Sequence, residues 1–308
     1  MSVAMIEIDG ASMHYGAVHA VDDVSLRVEA GQIFGLTGHN GAGKSTLFKM
    51  MLGILRPTLG TIRIRGERIE RGSPLSVRRG IGYLPENLAL YDNLSGLETL
   101  RFFARIKSAD ARACEGLLER VGLVDAAHRK VREYSKGMRQ RLGFAQALIG
   151  RPSLLLLDEP TNGLDPVATR TFYEALDDLR DDGVSVVISS HLLSEIEPRV
   201  DSLAIMANGR LLAHGSVAEL GRTAELPARV RVELRPDAIE RIDRAVSDAG
   251  FGPTIVDGHR LSFEAPMTRK VPLIALLASL GDAISGFEVT DPTLEDVFLR
   301  LSHRGADA

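Results

Sequence analysis

The chain has 308 residues, enough for about two domains of ordinary size. Thirty-seven Lys and Arg against 41 Asp and Glu leave a formal charge of −4, with 44% hydrophobic and 5% aromatic residues. This composition excludes disordered and fibrous classes, and it lacks the basic field of a protein built mainly to hold a nucleic-acid backbone.

A single cysteine, Cys114, cannot form an internal disulfide, which fits a reducing compartment and excludes a cysteine-cluster metal site. The longest apolar stretches, at 154–157 and 271–280, fall short of the roughly 20 residues that a spanning helix needs. The opening MSVAMIEIDG has acidic residues early and no basic-then-apolar signal. The expectation is a soluble, cytosolic chain, so any work at a membrane requires another polypeptide to supply the membrane part.

In chain order, residues 5–8 alternate loosely and 24–28 (VSLRV) alternate cleanly, the mark of half-buried strands. A short apolar run at 33–37 enters a glycine-rich turn and then a helical stretch at 44–55. A small β region follows at 61–65, where Ile62 and Ile64 alternate with Arg63 and Arg65. The pattern turns helical at 98–106, 111–121 and 138–148. Short branched or leucine-rich runs at 154–157, 184–189 and 203–206 read as buried strands separated by helical sequence. This alternation predicts an α/β architecture with a mostly parallel sheet. Asn208-Gly209 is a strong hairpin signal, since both positions tolerate positive φ.

The pattern breaks at 221–228 (GRTAELPA), read as a linker between a first domain at 1–220 and a second at 229–308. The second reads strand 230–234, helix 236–249, strands 254–257 and 260–264, helix 268–280, strand 285–290 and a short helix from Leu294. That order, βαββαβ, predicts a small ferredoxin-like α+β domain.

Gly38-His39-Asn40-Gly41-Ala42-Gly43-Lys44-Ser45-Thr46 matches the phosphate-binding loop G-x-x-x-x-G-K-[ST] in full. Glycines let successive backbone N–H groups turn inward around phosphate oxygens, and the following helix points its positive end at the anion. Lys44 is placed to reach the β and γ phosphates, and Ser45 offers a hydroxyl to Mg²⁺. A glycine-rich strand-to-helix turn can be purely structural, but the complete motif between strand and helix points to a nucleoside triphosphate. Downstream, Leu154 to Leu157 run into Asp158-Glu159-Pro160. A buried strand ending in two acids places them at the carboxyl edge of the sheet, where α/β folds bind ligands. There Asp158 would hold Mg²⁺ and Glu159 would polarise an attacking water.

Tyr134-Ser135-Lys136-Gly137-Met138, 23 residues before Asp158 counted from Ser135, resembles the LSGGQ-type signature of ATP-binding cassette ATPases in the variant form YSKGM. Around it, Asn162-Gly163-Leu164-Asp165 resembles the D-loop of that family, and His191, after VVISS, resembles its switch histidine. Tyr15 lies upstream of the phosphate loop, where the family stacks an aromatic ring on adenine. Ile81-Gly82-Tyr83-Leu84-Pro85-Glu86-Asn87 aligns with the Q-loop, but Glu86 stands where the family usually has Gln. The resemblance covers about residues 4 to 220.

It implies a P-loop cassette with an N-terminal β-subdomain and an inserted helical subdomain at about 87–150. It further implies ATP and Mg²⁺ as ligands, with Glu159, His191 and Lys44 as catalytic residues. Gly38 to Thr46 and Tyr15 would bind nucleotide, and Ser45, Asp158 and Glu86 would lie at the metal. In the family, the signature of one subunit completes the site of the other. Ser135, Gly137, Met138 and Asp165 would therefore serve a second ATPase subunit, with ATP sandwiched between two copies. Ser135 and Gly137 open a helix whose apolar positions Met138, Leu142, Ala145 and Ile149 share a face, whereas Arg141 reads as part of a solvated basic face. Residues 88–100 would face a multi-span permease.

The end of the chain, Asp291-Pro-Thr-Leu-Glu-Asp-Val-Phe298, resembles the C-terminal end of ATPase subunits in drug- and antibiotic-export systems. GHNGAGKS, GYLPEN and YSKGMRQRLGFAQAL resemble still more closely the cassette ATPase of the nitrous oxide reductase maturation system. That system also employs a permease and a periplasmic protein in copper-site assembly. The implied role is an ATPase at the inner face of the cell membrane, held there by its permease. The seven histidines other than His191, His39 among them, are scattered and show no ligand spacing, so direct copper binding by this chain is not expected. A soluble cassette acting on DNA or ribosomes is the alternative of another class. Such proteins usually carry coiled-coil insertions or two cassettes in one chain, and neither is present. A non-catalytic regulator is disfavoured by retention of Lys44, Asp158, Glu159 and His191.

Overall fold

The protein, a computed structural model, is described over residues 4–70, 75–223 and 226–306. Two long strands open the chain, β1 (Ala4–Tyr15) and β2 (Val18–Glu29), paired antiparallel. Both exceed the short strands expected at 5–8 and 24–28, because register irregularities let long strands bend without losing their pairing. There follow β3 (Ile33–Thr37), α1 (Lys44–Met51), β4 (Leu59–Ile64), β5 (Glu67–Arg68), α2 (Leu75–Arg79) and β6 (Ile81–Leu84). The middle of the chain is helical, with α3 (Gly96–Lys107), α4 (Cys114–Arg120) and α5 (Lys136–Ala147). Next come β7 (Leu154–Asp158), α6 (Pro166–Asp181), β8 (Ser185–Ser190), the single turn α7 (Leu193–Ile196), β9 (Ser202–Ala207) and β10 (Arg210–Gly215).

The central sheet has the order β10-β9-β3-β8-β7-β6, parallel throughout except for the edge strand β10. Strand β10 returns from β9 through Asn208 and Gly209, whose φ values of 49° and 80° suit the expected tight hairpin. Every residue of β3, β7 and β8 is buried. Successive leucines of β7 serve two different cores. Leu154 and Leu156 pack with α1 and the β-subdomain, while Leu155 and Leu157 pack with residues of α3, α5 and α6. That two-sided burial explains an unbroken apolar run where a half-buried strand would alternate. At about 1.5–3 kcal/mol per fully buried leucine, β7 is the strongest apolar anchor of the sheet for its length.

A second sheet, in the order β2-β1-β4-β5, forms the N-terminal β-subdomain. Strand β6 was not legible in the sequence, because Gly82 interrupts its apolar run. A Cβ there would collide with the carbonyl of Ala147, so α5 can approach the strand closely over a glycine.

The helices between β6 and β7 are the inserted subdomain. Helix α3 starts in a full capping box: the Ser95 hydroxyl accepts from the Glu98 N–H (3.2 Å), and the Glu98 carboxylate accepts from the Ser95 N–H (2.7 Å). The bond from the Ser95 backbone, then that from Lys130, draws the Glu98 carboxyl down to about 2. Helix α4 is shorter than the expected 111–121 span, since its first turn is a 3₁₀ turn at Ala111–Ala113 capped by Asp110. Arg141 is not on a solvated face. It is half-buried and donates to the carbonyls of Val121 and Gly122, closing the end of α4 (3.2 and 3.1 Å).

The chain divides into two compact units, Met1–Ser216 and Val217–Ala308. The division falls four residues before the expected end of the first domain. The reason is α8 (Val217–Thr223), which packs on α11 (Leu294–Ala306) of the second unit and buries Leu220. The first three residues of the expected 221–228 linker are therefore helical, and residues 224 and 225 lie outside the described residues. Between these helices stand β11 (Ala228–Leu234), α9 (Ile239–Asp248), β12 (Ile255–Asp257), β13 (Arg260–Ala265), α10 (Lys270–Ser279) and β14 (Ile284–Thr290). The sheet order β12-β13-β11-β14, antiparallel throughout, is the ferredoxin-like arrangement expected from βαββαβ.

Replacing Ser95 by Ala removes one half of the capping box and is expected to lower stability by about 1 kcal/mol in chemical denaturation. Glu98 favours its charged form in the folded state. Its contribution is therefore complete above the ordinary carboxylate range near pH 4.3 and fades as pH falls toward 2, a dependence that acid unfolding of the wild type and of Glu98→Gln will expose.

Candidate functional site

The C-terminal ends of β3, β7 and β8 meet at one edge of the central sheet, and the turn from β3 into α1 curls over that edge. Gly38 and Gly43 have φ of 153° and 103°. A Cβ at Gly38 would strike the carbonyl of Met206, and one at Gly43 the carbonyl of Ala20. Neither position admits a side chain, so the loop can wrap its backbone around a small anion. Lys44 is buried, and its Nζ donates to the carbonyl of Gly38 at 2.5 Å and to that of His39 at 3.4 Å. The His39 imidazole turns outward, with Nδ1 2.8 Å from the Asn40 carbonyl oxygen.

The two acids are held differently. Asp158 closes β7 and accepts a 2.6 Å hydrogen bond from the Ser189 hydroxyl. The same hydroxyl oxygen accepts from the Glu159 backbone N–H at 2.9 Å. Ser189 thus clamps the turn in which Glu159 adopts a left-handed φ of 50°, a conformation that costs a non-glycine residue about 1–2 kcal/mol. The buried Glu159 side chain reaches two partners. Its Oε1 lies 3.7 Å from Lys44 Nζ, and its Oε2 lies 2.7 Å from Nδ1 of His191. His191 is partly exposed, on a turn fixed by the Leu192 N–H bond to the Ser190 hydroxyl (3.0 Å). Gln140 of α5 donates to the Pro160 carbonyl (2.8 Å), tying the signature helix to the segment that follows Glu159.

Lys44, Glu159 and His191 face a cavity of about 410 Å³. Of the residues expected at the site, Asn40 to Thr46, Glu86, Glu159 and His191 are on its wall. Asp158 lies one residue behind the wall. Tyr83 lies near Asp158 and Glu86: burial first, then those two carboxylates, push its phenol up to about 12. Ser45, Glu86 and Asp158 offer only hydroxyl and carboxylate oxygens, the donor set a hard cation such as Mg²⁺ takes. The glycine loop and Lys44 suit the phosphates. The donors present therefore fit Mg²⁺ and ATP together.

Other expected site residues stand apart from this wall. Tyr15 ends β1, half exposed. Ser135 caps α5, accepting from the Met138 N–H at 3.2 Å, at an exposed helix end with Gly137 and Met138. Asp165 caps α6, accepting from the Ala168 N–H at 2.8 Å. Two contributors escaped the sequence reading: Ala20 lines the cavity, and Ser189 bridges Asp158 and Glu159. Asn162, the first residue of the D-loop-like segment, lines the cavity as well. The serine pair ending β8 was visible in sequence, but its partners are set by the parallel register that places Ser189 beside Asp158.

Two histidines also need correction. In sequence His14 and His19 are scattered. The pairing of β1 with β2 sets them opposite each other, and with Asp22 they bring three potential ligand atoms within 4.8 Å of one another.

Comparison with known proteins identifies the family. A family model described as ABC transporter matches residues 21–162. The chain is 37% identical to the daunorubicin resistance ATP-binding protein DrrA3 of Streptomyces coeruleorubidus, over 98% of this chain and 97% of that protein. Among solved structures, an ATP-binding subunit of an ABC transporter is 33% identical with a TM-score of 0.66, covering 71% of this chain and 92% of that one. A dimeric cassette, MJ0796 bound to ADP and Pi, is 22% identical with a TM-score of 0.64 over 69% of this chain and 98% of that one, which shows the shared fold. A P-loop with its lysine buried against a strand-end glutamate, and a full-length relative in the same family, lead to one conclusion: the chain belongs to the ATP-binding cassette family, as an ATP- and Mg²⁺-binding ATPase subunit of an ABC transporter.

Proposed function

We propose that this chain powers export through a separate membrane permease, working as a pair of identical ATPase subunits. The observation that carries this reading is the likeness to DrrA3, which spans both units of the chain rather than the cassette alone. The pairing is supported by geometry. The Ser135 end of α5 is exposed and does not line the Lys44 cavity of its own chain, so it is free to close the cavity of a second copy. Within the signature, Ser135, Gly137 and Met138, with Asp165 after Glu159, would supply that second surface.

In this reading the backbone from Gly38 to Thr46 wraps the phosphates, Lys44 meets the β and γ oxygens, and Tyr15 stacks on adenine. Ser45, Asp158 and Glu86 would hold Mg²⁺, which when bound neutralises charge on the β and γ phosphates. Glu159 orients the attacking water and draws its proton, and His191, already 2.7 Å from Glu159, senses the γ-phosphate. The exposed Tyr91 and Phe102, in edge-to-face contact on the helical subdomain, belong to the surface that meets the permease. Among the described residues no helix is long and apolar enough to cross a membrane, in keeping with a peripheral subunit at the cytoplasmic face. The copper-maturation reading, with its periplasmic partner, rests on loop motifs alone, so drug-type export is preferred. A cassette acting on DNA or ribosomes has no feature in its favour.

Four outcomes test these assignments. Glu159→Gln should lower ATP turnover by at least about a hundredfold while ATP binding persists, and should trap a dimer with ATP in size-exclusion chromatography. Lys44→Ala should weaken ATP affinity by about ten- to a hundredfold, from the loss of a charged hydrogen bond, as read by equilibrium nucleotide binding. Ser189→Ala, which releases the Glu159 turn, should lower kcat about tenfold with ATP affinity nearly unchanged. Affinity purification from detergent-solubilised membranes should recover a multi-span permease; recovery of ribosomes or DNA instead would reverse the choice of class.

A further inference from the structure

We propose that His14, His19 and Asp22 form a site for one divalent transition-metal ion of the zinc type, on the β1–β2 hairpin beside the phosphate loop. Three observations support it. One ring nitrogen from each histidine and one Asp22 carboxylate oxygen lie within 4.8 Å of one another. The histidines are direct cross-strand partners, so the backbone ladder holds their separation without any side-chain contact. Nε2 of His14 is buried with no hydrogen-bond partner, a polar nitrogen left unsatisfied beside the other two groups.

The chemistry fits a borderline cation. Two imidazoles and a carboxylate are a common protein donor set for Zn²⁺, with water in the fourth position. A tetrahedral ion at ordinary bond lengths wants its ligand atoms about 3.3 Å apart, so the three must draw in by roughly an ångström. His19 can supply that movement. It is half exposed, and the two rings now stack with centroids 4.0 Å apart and planes 13° from parallel. A shared ion requires the His19 ring to turn edge-on, exchanging a stacking contact for a metal bond.

Asp22 is already positioned. Its Oδ2 accepts from Arg210 at 2.8 Å, which holds the carboxylate in place while Oδ1 faces Nδ1 of His19 at 3.9 Å. The guanidinium also opposes a nearby cation, so the site is expected to bind in the micromolar range rather than tightly. Tyr15 and the hairpin turn lie between the two histidines in the chain, and Ala20, next to His19, lines the nucleotide cavity. Occupancy would therefore pin the hairpin that carries Tyr15 directly beside the phosphate loop.

The test is a Zn²⁺ titration of tag-free, nucleotide-free protein against a chromophoric chelator at neutral pH, with far-UV circular dichroism of each variant as the control for folding. The wild type should bind one equivalent with micromolar affinity. His19→Ala, at an exposed position that tolerates truncation, and His14→Ala should each weaken binding at least about tenfold, and exposed His128→Ala should leave it unchanged. No stoichiometric binding by the wild type, or wild-type affinity in folded His19→Ala, would overturn the proposal.

Discussion

A parallel sheet buried on both faces leaves its polar chemistry one place to go, the ends of its strands. In β7 this constraint is complete. Leu154 and Leu156 are taken by the core shared with α1, and Leu155 and Leu157 by the core shared with α3, α5 and α6. The first residue of that strand outside either apolar core is Asp158, its last, and Glu159 follows directly. Strand β8 repeats the pattern and ends in Ser189 and Ser190, and β3 ends where the glycine loop begins. The parallel register sets these three ends side by side, so the phosphate loop, the two acids and the serine clamp converge without any long-range device of their own.

Electrostatics then decides what the convergence can do. Lys44 and Glu159 are both buried, and burying two charges costs more than their attraction returns unless further bonds satisfy them. The carbonyls of Gly38 and His39 do so for the ammonium, and His191 does so for the carboxylate. Glu159 becomes the hinge of the site, touching the buried Lys44 of the glycine loop on one side and His191 on the other. Its left-handed backbone is tolerated because Ser189 holds the peptide N–H. A strained turn at the carboxylate proposed to activate water is in keeping with stored conformational energy at a functional site.

The second unit follows simpler rules. Alternation in β11 sends Val230, Val232 and Leu234 inward, against Ile242 and Val246 of α9 and Leu273 and Leu277 of α10, and sends Arg229, Arg231 and Glu233 outward. This is an antiparallel sheet with one face on a core, the reverse of the two-sided sheet in the first unit. The relative that matches the chain over nearly its whole length includes this unit.

Much of this was readable from residue order alone. The phosphate loop, the acidic end of β7, the hairpin at Asn208-Gly209 and the βαββαβ order of the second unit all depend on neighbours in the chain, and local chemistry dictates them. Gly82 hid β6, because the close approach that demands a glycine there comes from Ala147, far along the chain. Arg141 read as solvated because its acceptors, Val121 and Gly122, are brought to it by helix packing. Ser189 and the pairing of His14 with His19 were equally silent, since strand register places the partners. The sequence by itself determined which groups could bind phosphate and which segments would be strand or helix, because those properties are written in residue type and spacing. Only the tertiary structure decided which side chains meet, because contact across a sheet depends on register and packing, and neither is encoded in any single stretch of chain.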